Sequence, residues 1–208
     1  MHQADPVTAT VLAPVSWTRM IRAVEKVRER LLRAAEALER AGIPHAVAGG
    51  NAVAAWVSRV DETAVRNTRD VDILLRRADL EPAKVALARA GFLHRRVRGL
   101  GMPGGMEIFL DGPEAGVRDA IHVVLAGEKV RPDNLLPAPD VAESEEADRF
   151  RLVSLMALVR MKLILFRDQD RTHLRDLIDL GLVDSGWLSQ VPEELRPRLQ
   201  ELLDSPEG

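Results

Sequence analysis

The segment RNTRDVDIL, Arg66 to Leu74, places two aspartates one residue apart inside an apolar run. Successive side chains of a strand point to opposite faces. Val71 and Ile73 therefore share one face and Asp70 and Asp72 the other, with about 6–7 Å between the two aspartates along the backbone. Such a strand suits only a fold that packs one of its faces and leaves the other to water or to a cation. Two carboxylates held this way can bridge one or two hard divalent cations, which favour oxygen ligands. Without a cation, like charges at that spacing repel, and the proton affinity of one rises. On its own D-x-D is common, and a half-exposed strand with its polar residues outward is the more economical reading.

The rest of the chain can supply a fold of this kind. Its 208 residues suit one domain, or one domain with a helical extension. Apolar residues make up 46% but aromatics only 3%, so leucine, valine and alanine must build the core. A net charge of -3 demands no polyanionic partner. The absence of cysteine excludes disulfides and thiolate metal sites, and fits a reducing cytoplasm. The opening MHQADPVTATVLAPVSW lacks a basic start followed by a long apolar block, so no signal peptide is expected. No run approaches the roughly 20 apolar residues of a membrane span. The expectation is a soluble, cytoplasmic protein with no membrane partner.

Residues 1–15 carry two prolines and no clear period, and read as a flexible arm. From Trp17 onward Met20, Val24, Val27, Leu31, Ala35 and Leu38 recur at three and four, the spacing of an amphipathic helix. Ser16 suits its N-cap, Ala41-Gly42 before Pro44 ends it, and Glu29 and Arg33 are spaced to pair on its wet face. His45 to Ala48 reads as a strand, Gly49-Gly50 as a turn, Asn51 to Ser58 as a helix and Asp70 to Leu75 as a second strand. Asp79 to Gly91 predicts a helix capped by Asp79, with Pro82 in its first turn. Phe92 to Val97, Met106 to Leu110 and Ala120 to Ala126 read as strands, with GLGMPGG a flexible turn. Residues 127–150, rich in prolines and acids, suggest a long loop or linker. Leu152 to Phe166 is a strongly apolar helix, RDQDR a polar break, and Thr172 to Leu182 and Pro192 to Leu203 a last pair of helices.

Two further features bear on the aspartates. Gly49-Gly50 stands between a strand and a helix, where glycine lets backbone N–H groups approach a ligand and the helix start offers free donors to phosphate. Asn51 or Thr68 could add a side-chain contact, although a tight turn alone also explains the pair of glycines. The Walker pattern is missing there, so this is no P-loop. Lys162 interrupts the apolar helix between Val159 and Leu163, and either snorkels to the surface or points its charge into a cleft. Arg175, Asp176 and Asp179 follow, with Arg175 and Asp179 spaced to pair.

Taken in order, AGGNAVAAW, RNTRDVDIL and VRMKLILF…HLRDLIDL resemble the polymerase-beta-type nucleotidyltransferase superfamily, and within it the small AbiEii-like branch. Thr68, Asp70 and Asp72 match its [ST]-x-D-x-D motif in full; Lys162-Leu163 and Arg175-Asp176 with Asp179 match the helical K-L…R-D-x-x-D segment. The resemblance spans residues 45–182. It implies an α+β nucleotidyltransferase fold: a mixed, strongly twisted sheet flanked by helices, with a core over 16–150 and a helical C-terminal subdomain over 151–208 packed on it. It implies that Asp70 and Asp72 hold two magnesium ions and that Gly49, Gly50, Asn51 and Thr68 grip a nucleoside triphosphate. Lys162 would neutralise phosphate charge, and Asp176 would sit near the same cleft. An acceptor hydroxyl or phosphate would attack the α-phosphate and release pyrophosphate, with the protein mainly positioning charge. The acceptor could be a tRNA end, a protein side chain or a small molecule, and a toxin-like enzyme would have an antitoxin partner.

One position departs from the pattern. Where the superfamily places a third carboxylate on a later strand, the segment AIHVVLAGE has His122. It could act as a base, mark a lost step, or be a satisfied strand histidine, and Glu107, Asp119 or Glu128 might take the acid's place. A chain without that acid would be a nucleotide- or partner-binding module. Arg95, Arg96 and Arg98 form the one obvious basic cluster, which an RNA acceptor would need. A weaker idea is a ribonuclease built on Arg167 and His173.

Overall fold

The computed structural model describes residues 16–99 and 102–205; the arm expected over 1–15 lies outside them. Helix α1, Trp17–Arg40, starts as its sequence suggests, with the Ser16 hydroxyl accepting from the Arg19 amide. Leu31, Ala34, Ala35 and Leu38 bury its second half. Arg33 does not serve Glu29. It joins Arg30 in pairing with Asp111, because the buried part of the helix carries both arginines past that acid. Strand β1, His45–Ala48, is followed without a loop by α2, Gly49–Ser58. Then come β2, Val71–Leu75, α3, Leu80–Arg89, β3, Leu93–Gly99, β4, Met102–Leu110, and β5, Ala120–Leu125.

Four expectations are corrected. Asp79 makes no capping hydrogen bond: it ends a short helical turn over Arg77–Asp79 in helical backbone geometry, whereas a cap needs an extended residue. In the glycine-rich run GLGMPGG, Gly99 and residues 102–105 are strand, with Gly99 pairing with Met102, while residues 100 and 101 lie outside the described residues. Inside the supposed linker and the supposed apolar helix lie β6, Ser144–Glu146, and β7, Arg151–Val153. Leu152 and Val153 run straight into α4, Leu155–Leu165, so the apolar stretch has no period to reveal the break that the Ser154 cap makes. The polar RDQDR is a break only at Arg167, the extended N-cap of α5, Asp168–Asp179; its other four residues are the first turn of that helix, and the chain turns at Phe166, whose φ is 49°. The chain ends its described part with α6, Arg196–Asp204.

The strands form one mixed sheet in the order β3-β4-β5-β2-β1-β7-β6. β2 lies antiparallel to β1 and parallel to β5, and β7 lies parallel to β1. An α+β fold with a mixed sheet flanked by helices and a helical C-terminal region is therefore what the chain adopts. β1 is buried throughout and β2 at every position but Asp72, because α1 and α2 both pack on them. α2 in turn carries α4 and α5. The Phe166 turn is held by the guanidinium groups of Arg171 and Arg198, 4.3 Å and 5.1 Å from its ring. Arg198 also donates to the carbonyls of Leu163 and Ile164, 2.6 Å and 2.9 Å away, which the helix end leaves without partners. No helix of the described residues is long and apolar enough to cross a membrane.

Candidate active site

The register of three central strands brings the site together. Ala48 pairs with Asp72 across β1–β2, and Asp72 with His122 across β2–β5. Paired residues on neighbouring strands point to the same face, so Asp72 and His122 stand side by side. Asp70 precedes β2 and is fixed from several directions. The Thr68 hydroxyl donates to its Oδ1 at 2.8 Å, Asn51 Nδ2 donates to its carbonyl at 2.8 Å, and Arg30 donates to the Arg69 carbonyl at 3.0 Å. Among the described residues, Asp70, Asp72 and His122 form a group whose donor atoms all lie within 4.8 Å of one another.

The two glycines are needed for a steric reason. Gly49 has φ +63°, and a Cβ there would come 1.7 Å from Asp72 Oδ2. At Gly50 a Cβ would sit 3.0 Å from the Thr68 side chain. The turn thus passes directly over the aspartate strand, and the first glycine leaves the space that the Asp72 carboxylate fills.

β4 follows β5 only from Leu110↔Ala120 to Ile108↔His122. Beyond that pair the strands part, and residues 104–107 of β4 and 123–125 of β5 line a cavity of about 590 Å³. Gly50, Thr68, Asp70, Asp72, His122 and Lys162 line the same cavity. Asp176 does not: it accepts two hydrogen bonds from Arg66, at 2.8 Å and 3.0 Å, in a separate depression. The expected Arg175–Asp179 pair is not among the ion pairs of the described residues, and Arg175 Nε is buried without a hydrogen-bond partner.

None of the three acids considered as substitutes joins the aspartates. Glu107 lines the same cavity but is buried against His94 and Arg96, at 2.5 Å and 3.1 Å, and stands outside the aspartate cluster. Asp119 faces Arg69 at 3.9 Å, and Glu128 is clamped by two hydrogen bonds from Arg77. The expected basic cluster is partly spent, since Arg96 serves Glu107.

Lys162 does not snorkel. Its side chain is 6% exposed, and Nζ donates to Asp170 at 3.1 Å. Asp170 is fully buried and also accepts from Arg167, through the backbone amide at 3.2 Å and Nε at 2.7 Å. Burial alone would raise the Asp170 carboxyl, but the Arg167 hydrogen bond and the Lys162 charge outweigh it and hold it below the usual carboxylate range. Lys162 and Arg167 thus enter the cavity as two cations tied to one acid. Their charges oppose the rise that burial and then Asp70 impose on the Asp72 carboxyl. A quarter of the Asp72 side chain still faces the cleft, yet the protein encloses it closely enough for burial to come first. His173, the other half of the ribonuclease idea, is buried, and its pKa falls to about 4 through burial and then the Lys162 charge. It is a core histidine with Nδ1 unpartnered.

Asp170 and the site-facing position of Arg167 escape a reading of the sequence. The available signal is the R-x-x-D spacing, which closes a reciprocal cap at the start of α5.

No protein-family model matches the chain, and no curated protein matches it. Solved structures do. An antigenic nucleotidyltransferase-like protein from Paracoccidioides brasiliensis superposes with a TM-score of 0.53 at 15% identity, over 89% of this chain and 91% of that one. The antibiotic-resistance factor ANT(2'')-Ia gives a TM-score of 0.48 at 16% identity, over 91% and 96%. JHP933 from Helicobacter pylori gives 0.45 at 17% identity, over 93% and 78%. The chain shares its overall fold with the nucleotidyltransferase-like protein from Paracoccidioides brasiliensis. Its site combines an acidic and histidine cluster with a glycine turn above it and two cations beside it.

Proposed function

We propose that the protein transfers a nucleotide from a nucleoside triphosphate to an acceptor hydroxyl or phosphate, with a divalent cation held by Asp70 and Asp72. The observation that carries this reading is the meeting of those carboxylates with His122 on one face of a cavity that Lys162 also enters. A bound divalent ion would supply charge to stabilise the attacking and leaving oxygens. The chain's own residues do the positioning. Thr68 and Asn51 fix Asp70, Gly49 makes room for Asp72, and Lys162 and Arg167 offer donors to phosphate oxygens. The acceptor oxygen bonds to the α-phosphorus, the bond to the β-phosphate breaks, pyrophosphate leaves, and the acceptor proton passes to solvent.

Magnesium, ATP as donor, membership of the AbiEii-like branch and an antitoxin partner belong to this proposal through the motif resemblance. Asp176 enters it through Arg66, which ties α5 to the segment leading into Asp70. A second reading, a nucleotide-binding module without transfer, is favoured by the distance of Glu107, Asp119 and Glu128 from the aspartates. The test is transfer of label from an α-labelled nucleoside triphosphate to a pool of small RNAs, to protein and to small hydroxylated acceptors. Wild type labels an acceptor and Asp70→Asn does not. Equal labelling by the two removes Asp70 from the reaction, and tight binding without labelling selects the second reading.

A further inference from the structure

We infer that His122 is the third ligand of the metal site and that it shifts the site's preference from magnesium to a first-row transition ion. This rests on the reading that Asp70 and Asp72 hold a metal. The ring's two nitrogens have different tasks. Nε2 lies 2.9 Å from the Val117 carbonyl, which can only accept, so Nε2 carries the proton and donates it. That assigns Nε2 to the backbone and leaves Nδ1 as the nitrogen that can serve a cation. Nδ1 faces the aspartates, 3.5 Å from Asp70 Oδ2 and 3.8 Å from Asp72 Oδ1. Both separations exceed a hydrogen bond. The three groups stand round a gap and do not bond to one another. An imidazole that donates its far N–H to a backbone carbonyl while its near nitrogen faces two carboxylates has the outer support usual for a metal-binding histidine.

The donor set then selects the ion. Two carboxylate oxygens alone suit magnesium, which demands oxygen ligands and gives up water reluctantly. Replacing a third oxygen by an imidazole nitrogen favours first-row transition ions. Glu107 and Glu128 stand on the wall of the same cavity, but ion pairs with His94, Arg96 and Arg77 engage their carboxylates, and neither belongs to the cluster. His122 therefore changes the metal and does not mark a lost step.

The test uses the full chain, stripped of metal and titrated with Mn²⁺ or Mg²⁺ by calorimetry, together with electron spin echo spectroscopy of the Mn²⁺ form. Wild type is expected to show nitrogen modulation of the manganese signal that changes on ¹⁵N-histidine labelling. Its ratio of Mn²⁺ to Mg²⁺ affinity exceeds that of His122→Asp by about tenfold or more, and His122→Ala loses the nitrogen signal. Manganese bound without a histidine nitrogen overturns the inference, and the wild-type spectrum decides this even if the variants fail to fold. So does an equal affinity ratio in wild type and His122→Asp. Nucleotidyl transfer with a ratio indifferent to position 122 sinks the inference alone. A nitrogen-coupled metal site that transfers no nucleotide leaves the inference standing and sinks the transfer reading.

Discussion

The Asp72 carboxylate occupies the volume where a side chain at Gly49 would be, with Oδ2 only 1.7 Å from the missing Cβ. One residue's lack of a side chain is the other's binding space. Gly49→Ala therefore suffers twice. The left-handed backbone at φ +63° costs about 1–2 kcal/mol for a residue with a Cβ, and Asp72 must swing out of the site. The expected result is a lower urea midpoint and no detectable Mn²⁺ binding by calorimetry. A variant that binds metal as wild type does would show that the close approach does not matter.

Thr68 donates to Asp70 Oδ1 at 2.8 Å and would act on a bound metal through that carboxylate. Thr68→Val keeps the shape and removes the donor. Loss of such an outer hydrogen bond lowers metal affinity by about 10–100-fold, with little change in melting temperature. Calorimetric titration checks both sides of that contrast.

Lys162 and Asp170 form an ion pair that is nearly or fully out of water. Removing one partner leaves an uncompensated buried charge, at a cost of about 3–5 kcal/mol. Asp170→Asn and Lys162→Met are each expected to fall in that range by urea denaturation. The double variant should lose much less than the sum, because neither charge is then stranded. Arg167 keeps the cost of the Lys162 change at the lower end, since it remains bonded to Asp170.

His173 gives the fold a pH dependence of predictable sign. Its folded pKa of about 4 lies below the model-peptide value of 6.5, so the unfolded chain takes up the proton first. The neutral ring's contribution is complete above pH 6.5 and is lost as pH falls from there towards 4, by up to about 3 kcal/mol. Unfolding free energy measured between pH 7 and pH 4.5 should decline in wild type and decline less in His173→Leu. Parallel curves would place the sensitivity elsewhere, for example at the buried His45.

Much of the site could be read from the sequence because its parts are local. D-x-D alternates on one strand, and glycines at a strand-to-helix turn announce a close approach; the structure puts both at one cavity wall. The position of His122 came from the motif resemblance, and the β2–β5 register pairs that residue with Asp72. What stayed hidden depends on partners distant in the chain. Glu107 reaches the cavity wall, but its carboxylate is engaged by His94 and Arg96, partners that only the β3–β4 pairing brings to it. Asp176 matched a motif, yet its carboxylate answers to Arg66, 110 residues away. β7 was invisible because Leu152 and Val153 continue into an equally apolar helix.

That strand carries a mechanical consequence. β7 sits between β1 and the edge strand β6, and the Val153 carbonyl accepts a hydrogen bond from Trp56 Nε1 at 3.1 Å. The passage from the sheet to α4 is thus a rigid splice, two residues from the helix that delivers Lys162. The opposite wall of the cleft has no such backbone joint, because β4 pairs with β5 only as far as Ile108↔His122 and residues 104–107 and 123–125 then line the cavity between them.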